Sequence, residues 1–269
     1  MNVLVDFFAH HSRLFDQIGI NALLALSLSV SLQAGQLALC QAGLAGIAAY
    51  TSAILSVQFG WPLPASILAA IVAAVLVASL LAYPVRKLRG IFLAIATVGF
   101  GEIVRALANN LPITGGAEGL SGIPNDVTTP IIYGSLAFVA VALTREDDAA
   151  ARGVGVDVGM VRFASLALGG AIAGLAGALY AHAFFFLAPG DFGFGRMEQI
   201  LVWCVIGGVT SPVGAVAGAA FLSVLPELIR KLADFSEITN GLILLIVILF
   251  APGGFAGLWR RRPRAAPDA

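Results

Sequence analysis

Residues 17–85 read QIGINALLALSLSVSLQAGQLALCQAGLAGIAAYTSAILSVQFGWPLPASILAAIVAAVLVASLLAYPV, a run of 69 residues without Asp, Glu, Lys or Arg. A membrane helix needs roughly 20 mostly apolar residues to cross about 30 Å of hydrocarbon. The run therefore predicts about three spans, with turns near residues 33–36 and 61–64. Further uncharged runs cover 90–101, 127–144, 163–190, 199–226 and 238–259. The spans read from them are 18–32, 37–57, 63–83, 90–109, 131–143 and 162–186. Two short pieces follow at 197–209 and 214–229, then a last span at 238–250. A barrel would show strands of about 10 residues with alternating polarity. Residues 73–81 and 242–250 are apolar on every side, so helices are expected. The fold class predicted is all-α, a polytopic transmembrane helical bundle of about eight to nine spans, some short or broken. One domain is expected over 1–264, with a disordered tail at 265–269.

Composition agrees. Of the 269 residues 59% are hydrophobic and 11% charged, with mean hydropathy +0.95. A soluble domain carries about 25% charged residues. Disorder, a basic nucleic-acid binder and an acidic tail protein are excluded, and a soluble globule nearly so. The two cysteines, Cys40 and Cys204, lie in apolar runs without metal-ligand spacing and read as small hydrophobes. The N-terminus shows no basic region or cleavage site of a signal peptide.

Positive residues in short loops favour the cytoplasm. The basic clusters are Arg86, Lys87 and Arg89; Arg145, Arg152 and Arg162; and Arg260, Arg261, Arg262 and Arg264. One span on each side of the loop at 111–130 puts the first two clusters on one side. The third joins them if 199–226 forms two short spans or a re-entrant pair, and both readings stay open. Residues 207–214, GGVTSPVG, break that stretch. Irregular backbone at membrane depth lines a cavity or is buried in protein, so Gly207 and Gly208 are candidates for a pathway; a tight surface turn is the plainer reading.

Small residues four apart let helices approach closely in lipid. Gly170 with Gly174, Ala173 with Gly177, and Gly214 with Gly218 have that spacing, and Gly43 with Gly46 serves similarly. The identical segments AGLAG at 42–46 and 173–177 read either as an internal repeat or as biased composition.

Few ionisable residues fall within spans. Glu102 and Arg105 are three apart and share a helix face. Buried charge is costly, so the pair is a functional candidate; structural pairing, with Arg105 snorkelling outward, is the alternative. Thr97 lies on the same span. His182, near a span end, reads more readily as a hydrogen-bonded residue than as a ligand. Gln33, Gln36 and Gln41 surround the first break, where amides can satisfy freed backbone groups or a polar solute. The glycine-rich loop at 114–124 is not a Walker A loop, and no catalytic constellation occurs. Energy for any transport must come from a partner or a gradient. Seven of the 30 charges fall between Arg145 and Arg162. Acidic residues at the start favour a short helix there, ended by Gly153 or Gly155. It reads as a solvated loop or as a docking knob for a soluble partner.

The chain resembles the permease subunits of branched-chain amino-acid ABC importers. Arg145-Glu146-Asp147-Asp148, through Ala150-Ala151 to Gly155-Val156, is similar to that family's R-E-D-E-x-A-A-x-x-x-G-I segment. Leu88-Arg89-Gly90-Ile91-Phe92 with 96–105 is similar to L-R-G-[IV]-[YF]…T-L-A-F-G-E-I-[IV]-R. Residues 114–124 resemble T-G-G-x-x-G-L-S-G-I-P. Residues 173–182 resemble A-G-L-A-G-A-L-Y-A-H, and Gly207-Gly208 with Leu225-Pro226-Glu227 resembles G-G…L-P-E. The match runs from about Gly35 to Arg262. It implies the ABC importer permease fold and a membrane-spanning half of an importer. Its implied partners are a second permease, two cytoplasmic ATPases that hydrolyse ATP, a periplasmic or extracellular binding protein, and the bilayer. No cofactor is implied in this chain. The family's ATPase-coupling role falls on Arg145, Glu146, Asp147, Asp148, Ala150, Ala151 and Gly155, within 145–157. Gln36, Gln41, Thr97, Glu102, Gly207 and Gly208 are the pathway candidates. A bacterial inner membrane location with a cytoplasmic C-terminus is expected.

Three departures stand out. Residues 35–42 read GQLALCQA where the family has G-Q-L-S-L-G-H-A, so Gln41 replaces a histidine. Asp148 replaces a glutamate. Before the coupling segment only 130–143 intervenes, about 21 Å of helix at about 1.5 Å per residue. Two other readings compete: a passive channel or facilitator for a small neutral solute, and a non-transporting assembly subunit.

Overall fold

A computed structural model describes residues 12–85, 88, 90–124, 127–146, 158–208 and 211–228. Eight helices are described: α1 (Ser12–Gln33), α2 (Gln41–Phe59), α3 (Leu63–Val85), α4 (Ile91–Asn110), α5 (Thr129–Glu146), α6 (Val158–Phe184), α7 (Phe194–Gly207) and α8 (Pro212–Leu228). Five of them, α1 to α4 and α6, are long and apolar enough to cross a membrane. The expected spans at 18–32 and 131–143 lengthen, the latter to the 18 residues of α5, about 27 Å at the helical rise. The apolar part, Thr129–Leu143, is still shorter than the five membrane-length helices, so the short span read from the sequence stands: the end of α5 adds the charged Arg145 and Glu146 rather than apolar length. The last expected span, 238–250, lies outside the described residues.

The helices alternate between two ends. One end carries the close of α1 and the start of α6, joined by Gln36 and Ser165. The far end carries the α2–α3, α4–α5 and α6–α7 connections. α6 is the centre and packs most extensively against α3, α2 and α1. Small residues make this possible. Ser66, Ala70, Ala74, Ala78 and Ala82 form the buried stripe of α3. A Cβ at Gly170 would stand 2.6 Å from Ala78 Cβ, and one at Gly174 would stand 2.7 Å from Ala74 Cβ. A Cβ at Gly177 would overlap the Ala45 carbonyl on α2, 2.7 Å from its carbon. The expected small-residue spacing is thus the α6 packing surface. The opposite face of α3 exposes Leu68, Val72, Leu76 and Leu80 at four-residue spacing, as a lipid-facing stripe must.

At the far end, β1 (Leu120–Ser121) pairs antiparallel with β2 (Phe186–Leu187), tying the α4–α5 loop to the α6–α7 loop. Ile123 and Val127 bury beneath this cap. α7 and α8 change direction by 118° across the break at 208–211. The two helices pack on each other: a Cβ at Gly218 would overlap the Trp203 carbonyl, and one at Gly207 would overlap that of Gly214.

Candidate functional site

The α1–α2 connection is the first polar feature. α1 ends because Gly35 takes φ +71. Its N–H donates to Leu32 O at 3.0 Å and that of Gln36 donates to Ser31 O at 2.9 Å, the paired bonds of a glycine C-terminal motif. Residues 36–40 then run in neither helix nor sheet, with Gln36, Ala38 and Cys40 buried. Buried backbone without a helix or sheet needs other partners. The Leu39 N–H donates to Thr97 Oγ1 at 2.8 Å, and the Cys40 N–H donates to Gln41 Oε1 at 3.1 Å. Gln41 Nε2 donates to Ser31 Oγ at 3.2 Å, and Gln36 Nε2 to Ser165 Oγ at 3.2 Å. Gln36, Gln41 and Thr97 are therefore brought together around one broken connection, and Gln33 is left exposed. Gln41 supplies one acceptor and one donor, the pair a neutral histidine ring also offers.

The second feature lies on α4. Glu102 Oε2 accepts from Arg105 Nε and pairs with its Nη2, both at 2.7 Å. Glu102 Oε1 accepts the Phe194 N–H at 2.8 Å, so the carboxylate also caps the N-terminus of α7, where negative charge is favoured. Arg105 and Glu102 keep 48% and 35% of their side-chain surface exposed. Around them on α4, Ile91, Phe92, Ile95, Ile103 and Leu107 are exposed. An ion pair at this depth in lipid is costly, so this face belongs against protein or a water-filled path.

The third feature is at the far end. His182 is fully buried. Its Nδ1 is 3.0 Å from Pro124 O, and its Nε2 is 3.0 Å from Ser52 Oγ. A carbonyl only accepts, so Nδ1 carries a proton and donates. Ser52 Oγ lies 3.2 Å from Ser66 Oγ. The imidazole thus ties α6, α2 and the α4–α5 loop together, with α3 joined through Ser66, as expected of a hydrogen-bonded histidine.

A fourth feature was not singled out in the sequence. The Arg196 guanidinium lies over Tyr180 at 5.7 Å and over Trp203 at 5.5 Å. Its Nη2 donates to Asn21 Oδ1 at 3.0 Å, and Asn21 Nδ2 donates to Ser223 Oγ at 2.8 Å. The signal was visible: Asp191, Arg196 and Glu198 form a charged island between the uncharged runs 163–190 and 199–226. Gly207 and Gly208 are buried at the α7–α8 break, with φ +104 at Gly208. Of the coupling residues, Arg145 and Glu146 end α5, while Asp147, Asp148, Ala150, Ala151 and Gly155 lie outside the described residues. Cys40 and Cys204 are buried and unpaired, and Cys204 Sγ donates to Ala25 O at 3.1 Å.

The sequence model of the family described as "Branched-chain amino acid transport system / permease component" matches residues 12–142 and 138–252. The chain belongs to the branched-chain amino-acid transport permease family. It is a transport permease subunit and a multi-pass membrane protein. The high-affinity branched-chain amino acid transport system permease protein LivM of Escherichia coli strain K12 is 29% identical over 292 residues, covering 90% of this chain and 67% of that protein. LivM of Salmonella typhimurium is 30% identical, with the same coverage. The autoinducer 2 import system permease protein LsrC of Salmonella paratyphi B is 34% identical over 109 residues, 37% of this chain and 31% of that protein. No solved structure matches. The LivM alignment is longer than the 269 residues of this permease, so LivM carries stretches without a counterpart here. The two family matches meet at 138–142, inside α5.

Proposed function

We propose that this permease forms the membrane half of an ABC importer for branched-chain amino acids or related small solutes. The observation that carries the reading is the family match across residues 12–252 of a chain with a polar interior inside apolar helices. The pathway runs by the α1–α2 break, with Gln36, Gln41 and Thr97 on one side. The exposed Glu102 face of α4 and the Gly207–Gly208 break complete it. A second permease subunit covers α4, which explains an ion pair on an otherwise apolar face. Eight or nine spans are crossed, and the basic cluster Arg260, Arg261, Arg262 and Arg264 keeps the C-terminus in the cytoplasm of a bacterial cell. Two ATPases dock on 145–157 below, through Arg145, Glu146, Asp147, Asp148, Ala150, Ala151 and Gly155, and drive the pathway between outward and inward access. A binding protein delivers the solute at the far end.

The test is reconstitution in liposomes with the ATPases and binding protein encoded beside it. Leucine uptake should require ATP, and Asp147→Arg with Asp148→Arg should abolish ATPase co-purification. Uptake that persists without ATP would establish a passive facilitator instead. Absence of any uptake, with all partners bound, would establish an assembly subunit.

A further inference from the structure

A charge held inside a membrane protein is expensive unless it is paired. Arg196 is partly buried, yet no carboxylate oxygen lies within 4.0 Å of it among the described residues, where the one ion pair is Arg105 with Glu102. Asp191 acts on it from farther away. Its hydrogen bonds go to neutral amides, Asn21 Oδ1 at 3.0 Å and Gln199 Oε1 at 3.4 Å. A guanidinium has five N–H donors, so three have no partner among the described residues. The Arg196 Nε, which has no partner among the described residues, is not sealed off in the interior.

A second observation points to the same place. The rings of Tyr180 and Phe192 are 5.6 Å apart, and those of Phe192 and Tyr50 are 6.1 Å apart. Tyr50 is 5% exposed, and its hydroxyl is buried without a hydrogen-bond partner. Buried hydroxyls are almost always paired. An orphan hydroxyl at Tyr50 and a guanidinium without a carboxylate in contact thus stand at the two ends of one ring series, Tyr50, Phe192 and Tyr180, with Trp203 on the far side of Arg196. The cation offers a fork for a carboxylate. Of the rings, Tyr180 is the one partly exposed, and it offers apolar surface to a short side chain.

We propose that Arg196 and Tyr50 form a recognition site for a small amphipathic carboxylate: Arg196 takes the carboxylate, and the Tyr180 ring takes the apolar side chain. The site rests on the reading of the chain as an amino-acid importer permease and names the part of the solute that this subunit reads.

The experiment uses the full chain assembled with its partner permease and ATPases, without binding protein, in Trp61→Phe and Trp259→Phe background so that this chain reports through Trp203. Leucine should change Trp203 emission saturably, and leucinamide, which lacks the carboxylate, should not. Arg196→Gln should weaken leucine binding about 10- to 100-fold, the loss expected for a hydrogen bond to a charged group. Arg196→Lys should fall between the two. Tyr50→Phe should weaken leucine binding about 3- to 10-fold while leaving the melting temperature unchanged or raised, because it removes an unsatisfied buried group. A purely structural Arg196 would lower the melting temperature and leave Tyr50→Phe binding as in wild type. That result, or acetate matching leucine at equal concentration, overturns the site. Wild-type uptake separates the two levels: ATP-driven leucine import with unaltered binding in all three variants removes the site and leaves the importer. No import by wild type removes the importer reading itself.

Discussion

Gly177→Ala tests the α2–α6 crossing on which the bundle depends. The new methyl would overlap the Ala45 carbonyl oxygen, 2.7 Å from its carbon and 2.9 Å from Ala45 Cα. Ordinary contact begins near 3.4 Å. The opposing atoms are backbone and cannot rotate aside, so one helix must retreat from the other by most of an ångström. A gap of about 0.5–1 Å forfeits a quarter to a half of each dispersion contact, and overpacking costs about 1–3 kcal/mol. The backbone clash puts this substitution at the upper end. Replacing a helical glycine by alanine returns about 1 kcal/mol. The net loss is about 2 kcal/mol, or about 4–8 °C at the melting rate of a chain this size. Cys40 and Cys204 are both fully buried, so a thiol-reactive fluorophore added to the detergent-solubilised permease reports unfolding. Gly99→Ala is the control: no atom lies within 4 Å of its Cβ, so it should melt with wild type or slightly above. A Gly177→Ala permease that melts with the control would refute the crossing.

Three more outcomes follow from the same geometry. Thr97→Val removes the acceptor of the Leu39 N–H and should cost about 1–3 kcal/mol, whereas Thr97→Ser should melt as wild type in the same thiol assay. Glu102→Gln retains an oxygen for the Phe194 N–H and should keep amide-exchange protection at the start of α7; Glu102→Ala should lose it, and equal protection in both would rule out the cap. His182→Phe leaves the Pro124 carbonyl and Ser52 hydroxyl without their shared partner and should lower the melting temperature by about 4–8 °C, for about 2 kcal/mol. A melt unchanged from wild type would show that the imidazole does not hold the far-end loop.

The helices were legible because charge is scarce. Their boundaries follow Gly35, Gly60 and Gly90, all with positive φ at or beside a helix end. The Glu102–Arg105 pair was legible because three residues of spacing on one helix suffice. Gln36 and Gln41 were placed at a break from sequence, but their partners Ser165 and Ser31 were not. Arg196, Asn21 and Tyr50 were missed for the same reason. Their contacts join residues up to 202 positions apart, and no local pattern encodes which helix faces meet. The charged loop after α5 was legible as a motif and falls on residues whose structure is not described.

The α1–α2 connection also has a clock. Its Leu39 N–H depends on Thr97, 58 residues later, and the Gln36 amide depends on Ser165, 129 residues later. At about 5–20 residues per second, the ribosome takes about 6–26 s to reach the second of these. During that interval α1 and α2 have left the ribosome with an irregular segment between them whose Leu39 N–H and Gln36 amide lack their later partners. The nascent hairpin must keep that segment at water or beside the insertion machinery until α4 and then α6 arrive. Biogenesis of this permease is therefore ordered from its N-terminal break outward, with α6 as the element that closes it.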